Sequence, residues 1–250
     1  METKDIVNYL DQYLRVREIR DASLNGLQVE GKTKIEKIGF GVDACLETLR
    51  AAAKAKVDLL IVHHGLFWGK VQPITGSHFT RIKTLIDAKM NLYCAHLPLD
   101  AHPEVGNNAQ LAKALNLDIE YYFGDYSGTP IAVYGRAKKR LTAEDFHQQL
   151  KDVLGEHVRM DAFGPKHFRK IGICSGAGAS LLPEARSLGI EAFLTGEPRH
   201  SFYYYTKEER MHAYYGRHYD TEVIGLKALS THLTELFELP AEFFHAPSEI

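Results

Sequence analysis

The sequence predicts an α/β protein of two βα domains with similar topology, related by internal duplication, with a site in the cleft between them. Three observations carry that reading. The stretch Val57-Asp-Leu-Leu-Ile-Val-His-His-Gly65 has no polar alternation after Asp58. It reads as a strand buried on both faces, as in a parallel sheet, although a short apolar run alone also fits buried helix. Strand-length runs alternate with amphipathic, helix-length stretches along most of the chain. Finally, Lys37-Ile-Gly39 returns as Lys170-Ile-Gly172, 133 residues later, and without a gap Val57-Asp58 then falls on Ile190-Glu191 and Leu60-Ile61 on Phe193-Leu194. A period near half the chain suggests two domains rather than a solenoid. Ligand sites in open α/β sheets lie beyond the carboxyl ends of the strands, and a site between two such halves is favoured.

Taken in order, Ile6, Leu10 and Leu14 at helical spacing predict an opening helix over residues 4–19. Ser23 to Gly31 contains an Asn-Gly turn and a short strand. A βαβ unit follows, with strand 37–42, helix 45–56 and strand 57–62. The loop 65–76 carries Leu66, Phe67, Trp68 and three glycines, and offers a lid, a wall or simply a packed-down loop. Helix 78–89, strand 91–96 and helix 108–115 complete the first half. Residues 121–130 are turn-rich and mark the expected boundary, giving domains 1–124 and 125–250. Beyond it the pattern predicts strand 131–136, then helix 143–154 entered through Thr142-Ala-Glu-Asp145, a variant capping box. Strands 158–162 and 170–174, helix 179–188, strand 190–194, a Tyr-rich helix near 199–209 and strand 211–215 follow. The last helix, 221–237, has Leu226, Leu229, Leu233 and Leu236 on one face, and a strand at 242–245 ends the series.

Hydrophobic residues make up 45% and charged residues 25% of the 250, and the formal net charge is −2. These are the values of an ordinary globular protein, with no electrostatic case for nucleic acid or membrane as partner. The basic runs Lys138-Lys139-Arg140 and Lys166 to Lys170 read as solvated turns. Three scattered cysteines, Cys45, Cys94 and Cys174, suit a reducing cytosol and argue against a disulfide framework or a thiolate zinc site. With no apolar leader and no run approaching ~18 apolar residues, a soluble cytoplasmic protein is expected.

The residues able to do chemistry gather at the predicted strand ends: His63, His64, Asp100, His218 and Glu222, with His96 and Glu197 close by. A second alignment of the halves places His96-x-x-x-Asp100 on His218-x-x-x-Glu222. With the helix expected from 221, His218 and Glu222 span a helix start rather than one helical face, and the helix N-terminus favours an ionised carboxylate. Imidazole and carboxylate without thiolate suit divalent first-row ions: zinc, manganese, iron, cobalt or nickel. Five ligands exceed the three of a mononuclear catalytic zinc and suit two ions ~3.5–4 Å apart. Gly176-Ala-Gly-Ala-Ser180 invites a dinucleotide or phosphate reading, but Leu181 stands where that fingerprint needs a small residue, and a tight strand-to-helix turn is the rival.

Ile61-Val-His-His-Gly-Leu-Phe-Trp68, His96-Leu-Pro-Leu-Asp-Ala-His102, Gly106-Asn-Asn108, Thr195-Gly-Glu197 and Gly216-Arg-His-Tyr-Asp-Thr-Glu222 together resemble the GTP cyclohydrolase I type 2 homologue, or Nif-three-like, family. Asn25-Gly-Leu-Gln-Val29 resembles its N-terminal motif, and Arg217 stands where a second histidine is common. The resemblance implies two α/β domains, two metal ions held by His63, His64, Asp100, His218 and Glu222, and a toroidal homohexamer. Thin sequence support for an oligomer comes from the tyrosines and the apolar loop Leu66-Phe-Trp68.

The expected function is a dinuclear metal-dependent hydrolase. A metal-bridging hydroxide would attack a small-molecule substrate, nucleotide-like or a cyclic amide, while His96 or Glu197 carries protons. Two rival classes remain at this stage: a metallochaperone or metal buffer, and a ring-forming interaction protein.

Overall fold

The structure, a computed structural model, describes residues 1–250. The chain divides into two compact units, Met1–Val105 with Gly225–Ala246, and Gly106–Ile224 with Pro247–Ile250. The cut expected at 124/125 falls inside a strand, Leu117–Tyr126, whose partners all belong to the second unit. The returning segment, invisible to a linear division, comes back because strand Ala241–Phe243 pairs in parallel with Ile38–Phe40 of the first unit.

In the first unit, α1 (Thr3–Tyr13) buries Ile6 and Leu10. It stops short of the expected residue 19 because Arg15 turns left-handed (φ 54°) and Val16 N closes onto Asp11 O. The sheet contains β1 (Gly26–Val29), β2 (Ile38–Asp43), β3 (Leu59–His64), β4 (Asn91–Cys94) and β11 (Ala241–Phe243), in the order β1-β4-β3-β2-β11. All but the edge strand β1 run parallel. Helices α2 (Leu46–Lys54) and α3 (Gly76–Ala88) are the crossovers from β2 to β3 and from β3 to β4 that parallel pairing requires. Leu49, Leu60, Val62, Leu85 and Leu92 form one core, while Leu59 and Ile61 are equally buried on the other face of β3. The apolar run is therefore a strand covered on both sides, and each such side chain contributes about 1.5–3 kcal/mol by leaving water.

The second unit begins with α5 (Asn107–Ala114), after the short α4 (Leu97–Asp100) of the first. Its six strands are β5 (Leu117–Tyr126), β6 (Thr129–Leu141), β7 (Arg159–Ala162), β8 (Phe168–Cys174), β9 (Ala192–Thr195) and β10 (His212–Tyr215), in the order β5-β6-β8-β9-β10-β7. Strands β8, β9 and β10 are parallel. Helix α6 (Ala143–Leu154) packs Phe146 and Leu150 against one face of the sheet with Ile171, Ile173 and Leu194. On the other face lie α7 (Leu182–Ser187), preceded by a 3-10 turn over Gly178–Leu181, and α8 (His200–Glu208), around Phe193 and Met211. The stretch expected as turns, 121–130, is in fact the hairpin joining β5 to β6. The last helix, α9 (His218–Phe237), starts three residues earlier than the expected 221. Its buried stripe, Leu226, Leu229 and Leu233, falls in the part of the helix that belongs to the first unit, and Leu236 is exposed. No helix is long and apolar enough to cross a membrane.

The duplication is legible in hydrogen bonds. The buried Asp58, at the foot of β3, accepts from Glu36 N (2.8 Å) and Lys37 N (3.0 Å), and from Lys32 Nζ (2.5 Å). Its counterpart Glu191, at the foot of β9, accepts from Arg169 N (3.0 Å) and Lys170 N (3.1 Å). Asp58 N bonds Lys37 O just as Glu191 N bonds Lys170 O. Each carboxylate thus ties the start of its strand to the start of the neighbouring one.

Candidate metal centre

Strand β3 carries His63 and His64 as its last two residues, inside the strand rather than beyond it. Alternation sends their side chains to opposite faces, yet at the strand's end the ring centroids lie only 4.8 Å apart. His96 follows β4, with its ring 5.0 Å from His63 and 5.6 Å from His64. One ring nitrogen from each of the three lies within 4.8 Å of the others.

What orients the rings is a set of acceptors on their Nδ1 atoms. His63 Nδ1 bonds the carbonyl oxygen of Ala95 at 2.8 Å, and His64 Nδ1 bonds Asp43 Oδ1 at 2.9 Å. His96 Nδ1 bonds Asp21 Oδ2 at 2.9 Å. Carbonyl and carboxylate oxygens only accept, so each Nδ1 must carry the proton. That tautomer leaves Nε2 as the ligating nitrogen, the arrangement typical of metal-binding histidines.

The supports come from elements whose role is visible only once the strands are paired. Asp43 ends β2, directly opposite His64 in the parallel register. Asp21 also accepts from Leu97 N and from Asn25 Nδ2, while Asn25 Oδ1 accepts from His96 N at 2.7 Å. Burial pushes the Asp21 pKa up, but hydrogen bonds and charge from His96, with further hydrogen bonds from Asn25 and Ser23, outweigh it and hold the group at about 2. Gln28 accepts from Leu66 N (2.7 Å), and a β-carbon on Gly65 would collide with its amide. The Asn25–Val29 motif therefore braces the strand ends.

Trp68 bonds Gly65 O through Nε1 and stands edge-on to His96, with centroids 4.9 Å apart. Its loop is pinned by Leu24 N to Phe67 O and Gly69 N to Ala22 O, so Trp68 forms a fixed wall while Phe67 packs into the core. Asp100 ends α4, buried, with Oδ2 3.6 Å from His63 Nε2. Two ligands of one ion, each ~2.1 Å from it in tetrahedral geometry, would stand roughly 3.4 Å apart.

In the second unit His218 is the first residue of α9 and Glu222 lies one turn on. The two share a helical face after all, because the helix begins at 218. His218 Nδ1 bonds Glu197 Oε1 at 2.5 Å, and Nε2 faces Glu222 Oε1 at 3.0 Å. Burial lowers the His218 pKa, but Glu222 and Glu197 together more than reverse that and raise it to about 9. Beneath the pair, Gly176 is left-handed (φ 61°), and any β-carbon there would collide with Glu222 Oε1. The surrounding turn spends its amides internally: Ser175 N on Asn108 Oδ1, Gly176 N on Thr221 Oγ1 and Gly178 N on Thr195 Oγ1. The Gly176–Ser180 segment is thus a tight support for His218 and Glu222 rather than a phosphate cradle.

The sequence-identified residues fall into two sets: His63, His64, His96 and Asp100 in the first unit, and Glu197, His218 and Glu222 in the second. Asp21 and Asp43 were not among them. The available signals were an acid shortly before the Asn25–Val29 motif and another immediately after the expected strand 37–42.

A duplicated α/β scaffold whose strand ends carry histidines fixed in their Nδ1-protonated form defines a protein with groups that can hold a metal ion. The profile of the Duf34/NIF3 (NGG1p interacting factor 3) family matches residues 1–249. A Deinococcus radiodurans protein named GTP cyclohydrolase 1 type 2 homolog is 43% identical over 244 residues, which are 98% of this chain and 93% of that one. TTHA1606 from Thermus thermophilus superposes with a TM-score of 0.91 at 41% identity, all of both chains being covered. The protein ybgI, described as of unknown function, superposes with a TM-score of 0.94 at 34% identity over the whole of both chains. The chain belongs to the Duf34/NIF3 family.

Proposed function

We propose that this chain is a dinuclear metal-dependent hydrolase acting on a small nucleotide-like or cyclic amide substrate, with ligands His63, His64, Asp100, His218 and Glu222 drawn from both units. The observation that supports it most is the locking of four histidines, His63, His64, His96 and His218, each through Nδ1, so that each offers Nε2. A purely structural histidine needs no such common tautomer. The names of relatives such as the Deinococcus protein favour a nucleotide. Divalent first-row ions, when bound, would acidify water and polarise the electrophile. Asp43, Asp21 and Glu197 hold the imidazoles in place, Trp68 walls off solvent beside His64 and His96, and His96 and Glu197 are the groups placed to carry protons.

A homo-oligomer of toroidal, hexameric form accompanies this reading. Phe79 and Ile86, seven residues apart on α3, and the loop residues Val71 and Ile74 are exposed apolar side chains that a neighbouring copy would cover. A cytoplasmic setting agrees with three free cysteines.

The deciding experiment is metal analysis of protein purified without added metal, followed by a hydrolysis screen with that ion over GTP, other nucleotides and cyclic amides. Turnover that vanishes on chelation and returns with metal is expected. Metal-loaded protein inert across the panel would overturn the hydrolase, and a monomer at micromolar concentration by light scattering would overturn the ring.

A further inference from the structure

We propose that the second unit binds a short oligophosphate, inorganic polyphosphate or the phosphate chain of a nucleotide, where the basic segment Lys138-Lys139-Arg140 of β6 meets the turn from β7 into β8. The site is independent of the metal-dependent reading. Arg169 and Lys170 lie at the start of β8, whereas Gly176, beneath His218, follows its other end, roughly 20 Å away along the strand.

Strand pairing brings together two basic runs that are separate in the sequence. Arg136 stands opposite Lys170 and Leu141 opposite Phe168, so five steps along β6 are matched by two along β8. The surplus forms a bulge at Lys138-Lys139-Arg140, all three exposed, with Lys166 and His167 exposed in the adjoining turn. Arg169 braces the bulge, donating from Nε to Ala137 O (2.8 Å) and from Nη2 to Lys138 O (3.0 Å). Arg136, Arg140, His167, Arg169 and Lys170 line a depression of about 200 Å³ there, with Glu191 and Phe168. Asp145 registers both runs at once. Beyond its hydrogen bonds with Thr142, the charges of Lys139 and His167 hold its carboxyl below the usual range.

Neither run contains an acid between Arg136 and Leu141 or between Pro165 and Lys170. The carboxylates that come near are already engaged. Glu120 pairs with Arg136, Glu191 accepts from the amides of Arg169 and Lys170, and Asp145 accepts from Thr142 N. Lys138, Lys139, Arg140 and Lys166 form no ion pair, which leaves their field to a ligand. The Arg140 guanidinium offers the fork of N–H donors that matches a phosphate. The patch suits a short polyanion rather than a long one. With 30 lysines and arginines against 32 aspartates and glutamates in the chain, the surface beyond it carries an excess of acid that repels a nucleic acid running past. Phe168 is 1% exposed and gives no face on which a base could stack.

The test is isothermal titration calorimetry of the full chain with sodium tripolyphosphate, ATP and AMP at low ionic strength. Tripolyphosphate and ATP are expected to bind far more tightly than AMP and to weaken as salt is added. The double variant Lys139→Gln/Arg140→Gln alters exposed side chains alone and should weaken both ligands roughly tenfold or more. Glu222→Gln, at the candidate metal centre, should leave their binding unchanged. Circular dichroism confirms that each variant is folded. ATP and tripolyphosphate of equal affinity would show that the phosphate chain alone is read, and tighter ATP would name a nucleotide. Affinity unchanged in the double variant, or lost instead in Glu222→Gln, would overturn the site. A DNA duplex that binds where tripolyphosphate does not would overturn the oligophosphate in favour of a nucleic-acid backbone.

Discussion

In the first unit the central strand β3 ends in two imidazoles, His63 and His64; in the second its counterpart β9 ends in Thr195 and passes to Gly196 and Glu197. Where His96 and Asp100 follow β4, His218 and Glu222 follow β10. The supporting scaffold is the same down to the carboxylate at the foot of each central strand, but the chemistry at the top has diverged. One copy presents imidazoles whose Nδ1 atoms are each backed by an oxygen. The other presents one histidine held between two carboxylates. Duplicated folds can therefore keep their strand-pairing devices and change only the residues that the carboxyl ends display.

The comparison breaks most decisively at Asp100. It is the only acid among the first unit's proposed ligands, and a carboxylate shared by two cations would set both. Asp100→Ala is expected to bind well under one metal per chain, whereas His64→Ala keeps about one, by plasma emission analysis. Asp100→Ala protein retaining two tight ions would remove Asp100 from that role.

Next come the paired feet of the strands. Asp58 is buried and bonds two amides and Lys32, so burial, which raises its pKa, is outweighed and the group is held low. Asp58→Ala strands two amides and is expected to cost about 3 kcal/mol, whereas Glu191→Ala, half-buried and without a lysine partner among its bonds, should cost about 1–2 kcal/mol. Urea unfolding with hydrogen exchange measures both. Equal losses would mean that the two clamps are equivalent.

The units should also part company with pH in the metal-free chain. The pKa of His218 is raised from 6.5 to about 9, so its contribution is fully present below pH 6.5 and lost as pH rises through about 9. That of Asp21 is lowered from 3.8 to about 2, so its contribution is present above pH 3.8 and lost as pH falls toward 2. Thermal melts should show the alkaline loss disappearing in Glu222→Gln and part of the acid loss disappearing in Asp21→Asn. An alkaline limb untouched in Glu222→Gln would detach it from the His218 pair.

The smallest effect concerns scaffold alone. Thr142 Oγ1 accepts from Asp145 N and the Asp145 carboxylate from Thr142 N, closing a capping box at α6. Thr142→Ala should cost about 1 kcal/mol and leave metal content unchanged. A change in bound metal would show that the proposed ligands of the second unit feel the scaffold.

That capping box is also where sequence and structure agree best: α6 spans Ala143–Leu154, as the pattern predicts, because both of its ends are written locally. The apolar run of β3 was equally legible, since burial on both faces demands it. β5 was not. Its burial does not alternate cleanly, and Gly124 (φ 74°) interrupts it, so an edge strand looks like a series of turns. The start of α9 was misplaced because Arg217 before it is left-handed, a conformation no residue type announces there. Asp21 and Asp43 were missed for a further reason. Which acid backs which histidine depends on strand register, and register is a property of pairs.

Register gives the Asp58 clamp a significance beyond stability. The carboxylate fastens β3 to β2 at one end, and His64 meets Asp43 at the other. A strand slipped by a single residue would exchange its faces, turning His63 to the side His64 now occupies and leaving Asp43 opposite His63 or Gly65 instead of His64. Asp58 thus acts as a datum from which the distance to the strand-end histidines is counted, in residues rather than in ångströms. A one-residue insertion between positions 58 and 63 would miscount that distance and dismantle the candidate metal centre while leaving every one of its proposed ligands in the chain.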